Sequence, residues 1–191
     1  MAGQLIVISG PSGVGKTTIA NALLAHPGFS RVITATSRSP RPGEADGVDY
    51  LFFSKEAFEQ RIRRDEFLEH ALVHGHRYGT PLQPVLSATA AGSKLVLVID
   101  VQGARQVKET ARTKLPGIPL TLIFIEPPSF EELERRLRSR ATDTPAQVER
   151  RLATARREMA ERPLYDHVVR NDTVDQAAKE ILERLGYRPS A

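Results

Sequence analysis

The stretch Gln4-Leu-Ile-Val-Ile-Ser-Gly-Pro-Ser-Gly-Val-Gly-Lys-Thr-Thr18 decides the fold. Leu5–Ser9 opens on an unbroken apolar run and reads as a strand buried on both faces. Gly10 to Thr17 fits G-x-x-x-x-G-K-[ST], and a helical pattern starts at Lys16 and runs to about Ala25. Strand, glycine-rich turn and helix in that order make a phosphate-binding loop. Its glycines let the backbone through Gly10, Pro11, Ser12, Gly13, Val14 and Gly15 curl, so that successive N–H groups point inward as an anion nest. The positive end of the helix dipole adds to that nest. Lys16 is placed to reach the β- and γ-phosphates of a nucleoside triphosphate, and the Thr17 hydroxyl to supply a ligand to Mg²⁺. Thr18 belongs to the same nucleotide-binding run.

Outward from this loop, apolar runs alternate with helical patterns, the signature of an α/β chain with a parallel central sheet flanked by helices. Arg31–Ser37 reads as a β-branched strand, and Arg38–Gly47 as a loop rich in Pro, Gly and charge. Tyr50–Phe53 and Phe67–His74 read as short strands flanking a helix at Lys55–Arg63. Lys94–Asp100 is the clearest central strand, ending on a carboxylate, with a helix from Gln102 to about Ala111 behind it. Asp100 can partner Mg²⁺ through water, cap the following helix, or do both. Leu120–Ile125 is a further buried strand stopped by Pro127 and Pro128. Ser129 with Glu132, and Thr144 with Pro145 and Gln147, carry helix-start patterns. Val148, Leu152, Ala155 and Met159 mark one face of the second of these helices. His167–Arg170 is a last strand and Val174–Leu185 a closing helix. Two blocks, 37–83 and 127–157, stand outside the strand–helix units. The first is a small mixed piece, the second an Arg-rich helical hairpin of the kind that forms a movable lid.

The 191 residues suit one domain carrying two short insertions, with no room expected for a second functional domain. The absence of Cys excludes a disulfide framework and thiolate-rich metal sites. No stretch approaches the roughly 18–20 apolar residues of a membrane span. The opening MAGQLIVISG lacks the basic region and cleavage site of a signal peptide, so the expectation is a soluble cytoplasmic protein. A net charge of +4, mostly from Arg, points to a polyanionic partner. Nucleic acid is disfavoured, because no basic tail stands out and aromatics at 6% are too sparse for base-stacking platforms. Arg135, Arg136, Arg138, Arg150, Arg156 and Arg157 alternate with Glu and read as a solvated helix face. His70, His74 and His76 lie close together but lack an acidic or Cys partner for a metal site. Monomer and homo-oligomer are equally open.

A second cluster begins at Thr34 and runs through Arg38-Ser-Pro-Arg41-Pro-Gly-Glu44, two Arg in a proline-stiffened loop whose forks are partly pre-oriented. Tyr50, Phe67-Leu-Glu69-His70 and Tyr78-Gly79-Thr80-Pro81 follow. In order, the segments GPSGVGKTT, TSRSPRPGE, GVDYLFF, FLEHALVHGHRYGTP, VIDVQGARQVK, RSRATDTPAQVERRL and VVRND resemble the guanylate kinase family over essentially the whole chain.

The resemblance implies a P-loop nucleoside monophosphate kinase with a core of about 1–36, 84–126 and 158–191, a GMP-binding subdomain of about 37–83 and a lid of about 127–157. It implies Mg²⁺-dependent phosphoryl transfer from ATP to GMP, and to dGMP, within purine metabolism. It places Arg38, Arg41, Tyr50 and Tyr78 on the GMP phosphate, and Thr34, Glu69 and Thr80, with Gly79 and Asp100, in the GMP site. Lys16, Arg41, Arg140 and Arg151 become the cations around the transferring phosphoryl group, and Asn171 and Asp172 lie near the adenine of ATP. The chemistry of Glu69 agrees. Guanine offers N1–H and a 2-amino group as adjacent donors to one carboxylate, whereas adenine turns an acceptor toward it.

Two positions depart from the family pattern: Val98 stands where an acid is common, and Ala141 follows Arg140 where Gly is common. The N-K-x-D segment of a GTPase is absent, as is an evident water-orienting Gln or Glu, which disfavours hydrolase readings. Two alternatives stay in view: a same-fold kinase for another phosphorylated acceptor, and a non-catalytic guanylate-kinase-like binding module. Intact Lys16, Thr17, Arg38 and Arg41 speak against the module.

Overall fold

The computed structural model describes residues 3–73, 75–139 and 144–187. Its central sheet has the order β2-β7-β1-β8-β9, built from β1 (Gln4–Ser9), β2 (Phe29–Arg31), β7 (Lys94–Val98), β8 (Leu120–Glu126) and β9 (His167–Arg170). It is a parallel sheet flanked by helices, as expected. β1 lies at its centre, and Leu5, Ile6, Val7 and Ile8 are all 0% exposed, which is why that run shows no polar alternation.

The chain divides into two compact units, one of Ser30–Leu95 and Gln102–Leu120 with the first residues, the other of Ile6–Phe29, Val96–Val101 and the residues from Thr121 onward. In the second unit, Ile6, Ile8, Ile123, Ile125 and Val169 from the strands pack with Ile19 and Leu23 of α1 (Lys16–Leu24). Ala177, Ala178, Ile181 and Leu182 of α7 (Val174–Arg184) close the same core. The helical hairpin α5 (Phe130–Arg138) and α6 (Pro145–Met159) has a core of its own from Leu133, Leu137, Val148, Leu152 and Ala155. Met159, expected on that face, is only half-buried. Thr144 and Gln147 make the full reciprocal capping box with Pro145 in the first turn. At Ser129 only half a box forms. Its hydroxyl accepts from the Glu132 N–H, but the Glu132 carboxylate is taken by Arg135 and Arg136.

The first unit holds a four-stranded sheet in the order β4-β3-β6-β5, made of β3 (Ala35–Thr36), β4 (Leu51–Phe52), β5 (Phe67–Val73) and β6 (His76–Pro81). Helix α2 (Lys55–Arg63), capped by Ser54, brings Phe58 onto Phe67 with ring centroids 4.4 Å apart. The strand expected over Arg31–Ser37 is two strands. Residues 29–31 join the central sheet, while Ala35 and Thr36 pair with Leu51 and Phe52 on one side and Gly79 and Tyr78 on the other. The β-branched run signalled extended chain, and the strand partners decide where it breaks. β6 and α3 (Leu82–Ala90) were not anticipated, since His76–Pro81 is polar with no alternation to mark it. The strand expected to end at Asp100 stops at Val98, and α4 runs over Val101–Lys114, longer than expected. Among the described residues no helix is long and apolar enough to cross a membrane.

Candidate active site

β1 delivers the chain into the phosphate loop, and backbone geometry explains its glycines. Gly10 has φ 138°, and a Cβ there would stand 2.3 Å from the Ile125 carbonyl oxygen. Gly15, at φ 97°, precedes α1, and a Cβ would stand 2.6 Å from Asn171 Nδ2. That amide donates to the Val14 carbonyl at 2.7 Å, so buried Asn171 braces the loop from β9's end. Asp172, its neighbour, pairs with Arg170 at 2.7 Å. Lys16 Nζ folds onto the loop, donating to Gly10 O at 2.7 Å and Pro11 O at 3.0 Å.

The loop walls a cavity of about 420 Å³ that also receives Thr17, Thr18, Asp100 and Glu158. Asp100 reaches it from the turn between β7 and α4, where the Ile99 N–H donates to Ile8 O at 3.2 Å. Val98 packs against the apolar core of the unit, so the position that commonly holds an acid is here part of the packing. Burial pushes the Glu158 carboxyl above its ordinary range, against the pull of Lys16. Nearby, burial drives the Tyr165 hydroxyl up to about 12. Glu158 was missed in the sequence. The available signal was its place on α6, three residues beyond Ala155 of the buried stripe. The hydroxyl residues Ser12, Thr17 and Thr18 and two carboxylates around an anion nest fit a hard divalent cation bound chiefly through phosphate and water. Arg151 is half-buried on α6. Arg140 and Ala141 lie outside the described residues, as does His74.

The first unit gathers the second cluster. The Arg38 guanidinium forks onto Glu44, with Nη1 to Oε2 at 2.8 Å and Nη2 to Oε1 at 2.9 Å, and its Nε donates to the Tyr78 hydroxyl at 3.3 Å. It lies over the rings of Tyr50 and Phe52, 5.5 and 5.9 Å from their centroids. The Arg41 N–H donates to Glu44 Oε2 at 2.7 Å, and these contacts draw the Glu44 carboxyl down to about 2. Arg41 itself is exposed, and Thr34 is half-buried with its carbonyl accepting from the Leu51 N–H. Glu44 lay inside a quoted motif, yet its part emerges only once both Arg are in place.

Glu69 is the buried acid of this unit, 6% exposed, and accepts from the Thr80 hydroxyl at 2.6 Å. A bulge between Phe67 and Glu69 sets this up, because it turns the strand so that Glu69 pairs with Thr80. Gly79 lets β6 approach: a Cβ would meet Glu69 O at 2.9 Å and Phe67 Cδ1 at 3.0 Å. His70 sits in the same strand, its imidazole pushed down by burial. Among the described residues no three His, Cys, Asp or Glu are placed to hold a metal ion together.

These two clusters bear family resemblance that sequence comparison makes explicit. The model of the guanylate kinase family matches residues 2–186. The chain belongs to the guanylate kinase family. It is 51% identical to the guanylate kinase of Gloeobacter violaceus over 183 residues, covering 95% of this chain and 86% of the relative. It is 49% identical to that of Bifidobacterium longum, covering 94% of this chain and 92% of the relative. The crystal structure of guanylate kinase from Anaplasma phagocytophilum superimposes with a TM-score of 0.75 at 34% identity, covering 97% of this chain and 85% of that one. Family membership thus extends over both units and both clusters.

Proposed function

We propose that this member of the family is a catalytic guanylate kinase, transferring the γ-phosphoryl group of ATP to GMP, and to dGMP, with Mg²⁺ as cofactor. The observation that carries the reading is the buried Glu69 carboxylate held by Thr80 at 2.6 Å. A carboxyl at this place fits a ligand with adjacent donors, and the N1–H and 2-amino group of guanine are such a pair. The acceptor subdomain is residues 37–83 and the lid 127–157. Thr34, Gly79, Thr80 and Asp100 complete the GMP site, and Asn171 and Asp172 border the adenine.

The Arg38 fork has a stereochemical consequence. Glu44 takes the end formed by Nη1 and Nη2, leaving the side edge of Nε and Nη2, where the Tyr78 hydroxyl sits. On that edge Nη2 keeps one N–H for a phosphate beside the Tyr78 hydroxyl that Nε holds, and Tyr50 and Arg41 add further contacts. Glu44 therefore positions Arg38 for the acceptor.

No general base is required. The second ionisation of a phosphate monoester lies near a pKa of ~6, so at neutral pH the GMP phosphate is mostly dianionic and is itself the nucleophile. One of its oxygens forms the new P–O bond as the bond from the γ-phosphorus to the β-phosphate oxygen breaks, leaving ADP and GDP. Lys16, Arg41, Arg140 and Arg151 neutralise charge spread over the transferring group, and the backbone nest holds the β-phosphate. Thr17, and Asp100 through water, would hold Mg²⁺, which would supply further neutralisation of the phosphate charge. Small nucleotides in purine metabolism are the partners, nucleic acid is not, and the compartment is the cytoplasm.

The test is ADP formation that depends on both GMP and Mg²⁺ in the purified protein. Lys16→Met should lower turnover by orders of magnitude with the fold intact by circular dichroism. Absence of turnover in the wild type would favour a binding module, and near-normal activity in the variant would remove Lys16 from the chemistry.

A further inference from the structure

The phosphate-loop cavity contains an acceptor that a phosphate cannot satisfy. Glu158, in the last turn of α6, lines it beside Lys16 and Asp100. Its Oε2 is buried and has no hydrogen-bond partner. The Ser9 Oγ and the Tyr165 hydroxyl are buried close by and engage each other. All three belong to one neighbourhood, since Ser9, Glu158 and Asp100 each act on the Tyr165 hydroxyl. A buried polar atom without a partner costs about 1–3 kcal/mol, and more when charged, so the Glu158 oxygen calls for a group that satisfies it in the working protein.

A nucleotide phosphate brings only acceptors to this place. Lys16 donates to the Gly10 and Pro11 carbonyls, and on the reading of this loop as the phosphate site it would turn to phosphate with nucleotide bound. What remains is coordinated water. Mg²⁺ keeps several waters when bound to nucleotide phosphates, and each is a strong donor toward a carboxylate.

We propose that Glu158 is a positioning residue for the metal, its Oε2 accepting from a water coordinated to the nucleotide-bound Mg²⁺. The inference rests on the reading of residues 10–18 as the nucleotide phosphate site. It also gives α6 a double part, because the helix that carries Arg151 carries the metal's outer carboxylate in its last turn.

The experiment is calorimetric titration of ADP into wild type, Glu158→Gln and Glu158→Asp, each with Mg²⁺ and again with EDTA. Mn²⁺ paramagnetic resonance in the presence of ADP gives a direct metal readout. With Mg²⁺ present, Glu158→Gln should bind ADP about tenfold or more weakly than wild type, the range typical of lost outer-shell ligands, and should match it in EDTA. The Mn²⁺ signal should show the same loss, and Glu158→Asp, which keeps the charge on a shorter arm, should fall between. Wild-type affinity in Mg²⁺ overturns the proposal. So does an equal loss in EDTA, which marks a structural part, and so does a gain in EDTA, which marks Glu158 as a plug in the nest. Lys16→Met separates the two levels: if it binds ADP like wild type, the nucleotide site itself has been misplaced.

Discussion

Glu69 meets Thr80 inside a buried strand because the bulge before it delivers the side chain there. Replacing Glu by Gln retains the shape but turns one acceptor into a donor, which faces the guanine N1–H and 2-amino group unfavourably. Loss of a charged hydrogen bond is worth about 1.5–3 kcal/mol, so Glu69→Gln should raise the KM for GMP about tenfold to hundredfold and leave that for ATP unchanged. Steady-state kinetics with each substrate varied in turn decides it, and equal effects would remove Glu69 as the guanine reader. Glu44→Gln breaks the fork that aims Arg38, and should raise the KM for GMP about tenfold while binding of guanosine, which lacks the phosphate, is unaffected. The same carboxylate sets a pH signature. Its folded pKa of about 2 lies below the ordinary 4.5, so its stabilisation is complete above pH 4.5 and fades as pH falls through about 2. Acid unfolding of wild type and Glu44→Gln, followed by circular dichroism, should therefore differ near neutrality and converge at the acid end.

At the scale of elements, α6 depends on its N-terminal box. Thr144 accepts from the Gln147 N–H while Gln147 Oε1 accepts from the Thr144 N–H at 2.7 Å. Thr144→Ala should cost about 1 kcal/mol of hairpin stability, visible as faster amide exchange in the first turn of α6. The phosphate loop was legible because everything it needs is local: an apolar strand, glycines at fixed offsets and a helix start. β6 was not, because His76–Pro81 owes its strand to pairing with β5 and β3 rather than to its own pattern. The divided strand at 29–36 has the same cause, since residues of equal β propensity were claimed by different sheets. Ser129 shows the limit of a motif: Glu132 has the right spacing for a capping box, but two Arg on its own helix hold it more strongly.

Across the whole molecule, the Arg excess resolves into distinct duties. Arg38 is pinned by Glu44 in a half-buried cluster, whereas Arg135 and Arg138 pair with acids on the hairpin surface. Composition suggested a polyanionic partner, and placement in the fold separates the half-buried Arg38 from the solvated Arg of the hairpin. The candidate site was readable where one short segment holds all its parts. It was unreadable where a residue such as Glu158 reaches the cavity from an element distant in the chain, because only packing creates that proximity. The central claim is acceptor identity, and the most direct measurement is ATP- and Mg²⁺-dependent phosphorylation of GMP, dGMP, AMP, UMP and CMP side by side. The account predicts the highest kcat/KM with GMP, with dGMP the next best acceptor. Highest activity with a non-guanine acceptor would contradict it.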